Sequence, residues 1–484
     1  MLSNKQLRII LFIILFFVLG FTLFIFNFHN FFSKKSFLSG DEPHYIMMAN
    51  SFIQDHDFNL KNDYELKRAQ KYYSENDLFP HVSPRLSLDG DKWYSIHPIG
   101  LALLISLPFK FFGLPGIRLL LAFIQLISIY FLYLVLKKYT QSNIQVLVGL
   151  LLLISCSAFW QNVGVIFPDL ILITILLLSI ILFGRKDIFS NVLLCIFLIA
   201  GLVLHTRIFI ATAPIVAMHF LYLYKQLGIK KLMLNYWPAL IALLIPLIFY
   251  ERYLFINYAS FSPSALYGNN GQIFGANVFS NFLAIFLDRA KGLFVYFPAL
   301  LLLGAYTYIY CKKIYYHFRQ TKFKDYKFAD YLFFGAAIGC GGLLITQLGF
   351  TDWSGSYAPN ARYVLPLIFI GIFIIAKNFN FNNIYQRYAL IFALLLNAVS
   401  LRFYFSKFYW YLDDTIENYI LSQAPLLKIL PKFAVISAET QKSHIFRALI
   451  IILLYILLTI GLVKLFNLGN SRIAKPKTKK NMSL

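Results

Sequence analysis

Apolar residues in this chain gather into long unbroken runs, without the period of 3.6 or 2 that marks elements half-buried in a soluble fold. A helix crossing a bilayer core needs about 20 apolar residues. Runs near that length recur at 9–28, 116–136, 144–160, 170–183, 188–204, 208–224, 237–254, 292–311, 331–350, 362–376, 388–402 and 445–465. They predict an all-α polytopic membrane protein with about twelve transmembrane helices, in a range of about eleven to thirteen. The first run follows Lys5 and Arg8, is too long for a signal-peptide core and lacks a small-residue cleavage site, which predicts an uncleaved span. The segment 97–112 stands apart. It opens on His97-Pro98, contains Pro108 and ends Lys110-Phe-Phe-Gly, which predicts an interfacial or re-entrant helix.

Composition agrees with the pattern. Hydrophobic residues make up 59% and charged residues 13% of the chain, against about 25% charged in a typical soluble globule. A soluble enzyme, a disordered protein and a disulfide scaffold are excluded. Cys156, Cys195, Cys311 and Cys340 lie in or at the ends of apolar runs, without zinc spacing, and read as packing residues.

The net charge of +23 leaves nucleic-acid binding, a membrane-surface patch or an asymmetry across a bilayer. Placement decides. With the N-terminus inside, inner loops hold Lys137-Lys138, Arg185-Lys186, Lys225, Lys230, Lys231, Lys312, Lys313, Arg319, Lys322, Lys324 and Lys327, and the tail holds Lys475, Lys477, Lys479 and Lys480. This is the positive-inside pattern, so both termini are expected to be cytoplasmic and nucleic acid is not an expected partner. Of the acids, Asp187, Asp325 and Asp330 fall at inner loops and nearly all others on the outer side. Residues 1–470 read as one transmembrane domain, with 33–115 its first outer loop and juxtamembrane helices, and 471–484 as a basic cytoplasmic tail.

Long irregular loops are usually functional, and here they fall on the outer side, which places the expected chemistry there. The first contains Asp41-Glu42-Pro43, two adjacent carboxylates ahead of an apolar helical pattern over 45–58 that predicts a one-sided interfacial helix. Asp41 reads either as the helix N-cap or as a catalytic carboxylate. The loop ends Asp89-Gly90-Asp-Lys-Trp-Tyr94-Ser-Ile-His97, where Asp-Gly predicts a hairpin turn. His97 reads as a capping or solvated histidine, or as a ligand or proton carrier. It has no partners at zinc spacing, so no metal ligands are assigned. Asp169, in Phe167-Pro168-Asp169, is either a cap or a polar group lining a cavity between spans.

A few cations break the positive-inside rule: Arg207 after His205-Thr206, Arg289 and Lys291 after Asp288, and Arg362 in the stretch Asp352-Trp353…Arg362-Tyr363. They read either as partners of nearby acids, as lipid-headgroup anchors, or as ligands of a bound phosphate, which Arg grips bidentately.

Taken in order, these outer motifs resemble those of the GT-C superfamily of integral membrane glycosyltransferases, in its bacterial protein-mannosyltransferase and aminoarabinose-transferase branch. The matching pieces are Asp41-Glu42-Pro-His-Tyr, Tyr94-Ser-Ile-His-Pro-Ile-Gly-Leu, Phe167-Pro-Asp-Leu, Lys291-Gly-Leu-Phe-Val-Tyr-Phe-Pro and Trp353-Ser-Gly…Arg362-Tyr363. Together they run from the N-terminus to about residue 370. The resemblance implies a GT-C fold, an outer-face active site at the plasma membrane, a polyprenyl-phosphate sugar donor and inverting transfer to an acceptor of the cell envelope. It implies that Asp41 is the base, with Glu42 orienting it or the acceptor, and that Asp169 positions acceptor, sugar or an ion. His97, Tyr94 and Trp353 become positioning candidates, and Arg207, Arg289, Lys291 and Arg362 candidates for the donor phosphate. Relatives of the aminoarabinose branch often carry Lys-Pro-Pro where this chain has His97-Pro98-Ile99. No cofactor is assigned, with a divalent cation left open. Two other readings share the many spans: a lipid-linked glycan flippase or transporter, which calls for charged or broken helices near mid-membrane, and an O-antigen polymerase or ligase, against which the early Asp41-Glu42 pair speaks.

Overall fold

In the computed structural model the described residues are 3–25, 38, 40–73, 78–83, 91–162, 165–263, 266, 278–288, 292–320, 328–349, 365–406 and 438–474. They form an all-α polytopic membrane protein. Its helices are α1 (Asn4–Ile25), α2 (Glu42–Gln54), α3 (Lys61–Glu65), α4 (Ile99–Tyr139), α5 (Asn143–Ile154), α6 (Ser157–Gln161), α7 (Asp169–Leu182), α8 (Ile188–Leu204) and α9 (Thr206–Tyr258). They continue with α10 (Val278–Leu287), α11 (Leu293–Tyr296), α12 (Leu300–Gln320), α13 (Phe328–Gly349), α14 (Leu365–Asn378), α15 (Ile384–Ser406) and α16 (Ala438–Ala474). Five of these, α4, α9, α13, α15 and α16, are long and apolar enough to cross a membrane on their own.

Two of the five are broken by glycine. A 53-residue helix would run about 80 Å, far more than a bilayer. Gly228, at φ 73° and ψ 165°, splits α9 between the two runs expected at 208–224 and 237–254. Gly113, at φ 63° and ψ −150°, splits α4 in the same way and separates the segment expected to be interfacial from the span that follows it. Both angles lie where a side chain is disfavoured.

The expected run 144–160 is itself two helices, α5 and α6, which leaves backbone groups to satisfy in an apolar setting. Trp160 Nε1–H donates to Ile154 O at 2.7 Å and Asn162 to Ala158 O at 2.8 Å. Polar side chains of α6 and α15 tie the break to the neighbouring segment 295–299. Asn397 donates to Ser155 Oγ at 2.9 Å and its Oδ1 accepts from Ala299 N–H at 3.0 Å. Ser400 donates to Val295 O, and Ser157 to Tyr296 O at 2.9 Å. At the opposite end of α5, Ser142 and Gln145 form a reciprocal capping box, and Gln145 also donates to Lys377 O and Phe379 O, closing the end of α14. Gly335 and Gly339, four apart on α13, lie against the backbone of Ile215 and Ala211 on α9, a small-residue contact that lets two helices approach closely.

Charge separates along the bundle. Lys137 meets Asn4, and Lys138 meets the carbonyls of Ile181 and Phe183, at one end. Asp41, Glu42 and the start of α7 gather at the other, the site end. The basic tail expected over 471–484 begins inside α16, and 475–484 lie outside the described residues.

Candidate active site

The first loop is a small folded unit. An antiparallel bridge pairs Val82 with Ser95, with Ser83 N–H donating to Tyr94 O and Ile96 N–H to His81 O. This is the pairing expected of a hairpin, although its turn at 89–90 lies outside the described residues. Arg68 joins Asp55 and Asp63, and Lys61 joins Asp91 at 2.6 Å, so three of the loop's acids are used in holding it together. Helix α2 departs from its expected one-sided burial. Every residue from Glu42 to Ser51 is buried, because the helix packs on α4 and the folded loop adds further cover.

Asp41 stands at the N-cap of α2. Its side chain makes no capping hydrogen bond, while its backbone carbonyl accepts from His44 and Tyr45. Pro43, with no N–H to satisfy, fits this start. Of the two readings open for Asp41, side-chain capping is therefore not realised. The carboxylate is 27% exposed and turns toward two imidazoles: Oδ1 lies 3.7 Å from His97 Nε2 and 3.9 Å from His81 Nδ1. The two ring nitrogens are 3.4 Å apart.

Around this trio the packing is polar and aromatic. His44 stacks on His81, with ring centroids 4.1 Å apart. The Tyr64 hydroxyl accepts from the His81 N–H and lies 3.0 Å from His44 Nδ1. The phenol hydrogen is then available to His44, whose Nδ1 acts as acceptor. Burial, followed by the neighbouring His81 and His97, pushes the His44 ring well down from its usual value, so it is neutral. His97 is held by its N–H donating to Ser95 Oγ at 3.0 Å.

Glu42 does not face the imidazoles through any of these bonds. Its carboxylate reaches the chain ahead of α7, where it accepts the N–H of Ile166 at 2.8 Å. That bond ties the first acidic motif to the second, Phe167-Pro168-Asp169. Pro168 is the N-cap of α7, so Asp169 occupies the first helical position and is not the cap. Asp169 is 2% exposed and faces Arg207 at 3.5 Å. His205, the residue between α8 and α9, accepts from the Arg207 N–H and lies against its guanidinium. Any phosphate role for Arg207 thus shares the guanidinium with an acid.

Close backbone packing brings the two halves together. A Cβ on Gly100, three residues after His97, would lie 2.6 Å from the backbone of Val203 and Leu204, at the end of α8 just before His205. Tyr94 sits elsewhere in the first loop's packing, in an aromatic group with Tyr250, Tyr253 and Tyr258. Its ring centroid is 5.8 Å from that of Tyr258, whose hydroxyl donates to Ser95 O. Trp353, Arg289, Lys291 and Arg362 lie outside the described residues.

Sequence reasoning missed His81, His44 and Tyr64 as members of this cluster, and it assigned no metal ligands. The structure instead places Asp41, His81 and His97 with one ligand atom each, all within 4.8 Å of one another. Extending the strands back from Asp89-Gly90 would have brought residue 81 across from 97–98; the observed pairing sets it opposite Ile96. Arg118, buried just past the Gly113 break, was hidden inside an apolar run.

No protein-family model and no curated protein matches the sequence. Among solved structures the chain is similar to ArnT from Cupriavidus metallidurans bound to undecaprenyl phosphate, at 12% identity and a TM-score of 0.47 over 97% of this chain and 79% of that one. It is similar to the same protein in the apo state at the same identity and TM-score, over 94% and 77%. An oligosaccharyltransferase from Archaeoglobus fulgidus aligns at 12% identity and a TM-score of 0.36, over 95% of this chain and 56% of that one.

Proposed function

We propose that this chain is a glycosyltransferase. It moves a sugar from a polyprenyl-phosphate donor to a lipid, glycan or protein acceptor of the cell envelope, with inversion, at the outer face of a bacterial plasma membrane. The observation that carries this reading is the state of Asp41. Its carboxylate opens a helix without capping it, is partly exposed, and lies at the same end of the bundle as the Asp169–Arg207 pair.

The reaction needs one base. Asp41 accepts the proton of the acceptor hydroxyl as that oxygen forms a bond to the anomeric carbon. On the opposite face the bond from carbon to the donor's phosphate oxygen breaks, and the phosphate leaves as an anion without a general acid. Arg207, with Arg289, Lys291 and Arg362, serves to stabilise the charge that develops there. Glu42 acts by holding the Ile166 backbone and hence the approach to Asp169, and Asp169 orients Arg207. Tyr94, His97 and Trp353 are the candidates for positioning sugar or acceptor.

The test uses membranes supplied with radiolabelled polyprenyl-phosphate sugars. Asp41→Asn is expected to lower transfer by about 10²- to 10⁴-fold, the usual contribution of a base. Full transfer by that variant would remove Asp41 from the chemistry. Mass spectrometry of envelope glycans from a deletion strain identifies the sugar and acceptor.

A further inference from the structure

We propose that the end of the bundle opposite the site carries a docking surface for an anionic phospholipid headgroup. It is built where two connections meet: residues 183–187, between α7 and α8, and the turn at Gly228 that divides α9. The Tyr236 hydroxyl joins them by donating to Lys186 O at 2.7 Å. Lys230 and Lys231 lie five or six residues back along the same helix, a rise of about 7–9 Å from Tyr236. The two loops therefore present one basic corner, not two separate basic ends.

Charge decides the class of partner. Arg185, Lys186, Lys230 and Lys231 are all exposed. The stretches 183–189 and 225–237 contain a single acid, Asp187. Its two oxygens accept from the N–H and the hydroxyl of Ser190 at the start of α8, at 2.8 and 2.9 Å. Four cations thus share a corner with one carboxylate that already accepts two bonds. Each Lys or Arg held near an anionic membrane surface favours it by about fivefold. A zwitterionic headgroup brings a cation of its own beside its phosphate, so the corner selects a lipid of net negative charge.

Apolar side chains set the depth. Phe189, Met233, Leu234 and Trp237 are exposed beside the cations. A polar partner would leave these four uncovered, whereas the boundary between headgroups and acyl chains covers both kinds of group. Trp settles at that boundary, and the long stems of Lys and Arg let the charged ends reach phosphate while their carbon chains lie on apolar surface. A second copy of the same face would set like charges against each other. The surface touches neither Asp41 nor Asp169, so it stands whether or not sugar transfer is the reaction.

The full-length protein is placed in phosphatidylcholine nanodiscs that hold a small fraction of diazirine-labelled lipid. It is irradiated, and the labelled peptides are identified by mass spectrometry. Labelled phosphatidylglycerol is expected to mark 183–189 and 225–237 about tenfold more than labelled phosphatidylcholine does, with the excess shrinking as salt rises. Lys230→Gln with Lys231→Gln is expected to cut that excess by about fivefold or more. Lys312→Gln with Lys313→Gln, which removes the same charge from α12, is expected to leave it in place. If the first pair does not fold, Arg185→Gln with Lys186→Gln takes its place. Equal labelling by the two lipids would overturn the proposal and leave the corner to ordinary boundary lipid. An equal loss in the α12 pair would overturn it as well, since net charge alone would then account for the preference.

Discussion

The carboxylate of Glu42 accepts the backbone N–H of Ile166 at 2.8 Å across 124 residues of chain. Glu42 is 5% exposed, and α7 begins three residues after Ile166. The neighbouring Asp41 points instead toward His81 and His97. Two adjacent acids thus divide the work: one fastens the segment that carries Asp169, and the other is presented at the site.

Glu42→Ala leaves the Ile166 N–H buried without that acceptor, which costs about 1–3 kcal/mol. Glu42→Gln retains an acceptor oxygen and is expected to recover most of the loss. Thermal unfolding of the detergent-purified variants checks the ranking. Equal stability of the alanine variant and the wild type would mean that the bond does not hold the two motifs together.

Among the described residues two aspartates stand at helix N-caps, Asp41 and Asp187, and of these Asp187 caps with its side chain. Asp187 accepts from the Ser190 N–H at 2.8 Å at the start of α8, whereas Asp41 makes no such bond. Asp187→Ala is expected to cost about 1 kcal/mol, the usual loss of a cap. Asp41→Asn removes no capping bond, and its expected effect is on transfer. Unfolding of the two variants side by side, beside the transfer assay, separates a structural carboxylate from a chemical one.

Much of the fold was legible because lipid imposes a long apolar period. The breaks at Gly113 and Gly228 fall in the gaps between expected runs. Within the site, Asp41, Glu42, Asp169 and His97 stood out as polar groups beside apolar segments. His81 did not, because its place depends on the Val82–Ser95 pairing across the loop, and residues 78–83 carry no period of their own. The full burial of α2 was likewise hidden, since part of its covering is the folded loop itself. The partner of Glu42 was beyond reach for a plainer reason: a backbone N–H leaves no mark in a sequence.

Asp55 gives a pH dependence that can be signed. The Arg68 guanidinium holds its carboxyl below the usual value of 3.8. The unfolded chain therefore takes up this proton at higher pH than the folded one. The resulting stabilisation is fully present above pH 3.8 and is lost as pH falls through the lower folded value. Asp55→Asn is expected to be less stable at neutral pH and to show a shallower decline in acid. Unfolding midpoints from pH 6 to pH 3 measure it, and parallel curves for the two proteins would contradict the linkage.

Asp169 and Arg207 form a pair with side chains 3% and 13% exposed. Removing one member strands the other in a poorly solvated place, a cost of about 3–5 kcal/mol for buried pairs. Arg207→Ala is expected to lose about that much, and Asp169→Asn a similar amount. The double variant is expected to be clearly more stable than the sum of the two losses, because no charge is left behind. A double-mutant cycle on unfolding reads this coupling. The same variants divide structure from function: Arg207→Lys keeps a charge for Asp169 but not the planar fork that grips phosphate. Stability near wild type with weakened binding of a polyprenyl-phosphate sugar would identify the guanidinium as a donor ligand. Loss of stability with unchanged donor binding would leave Arg207 as the counter-ion of Asp169 alone.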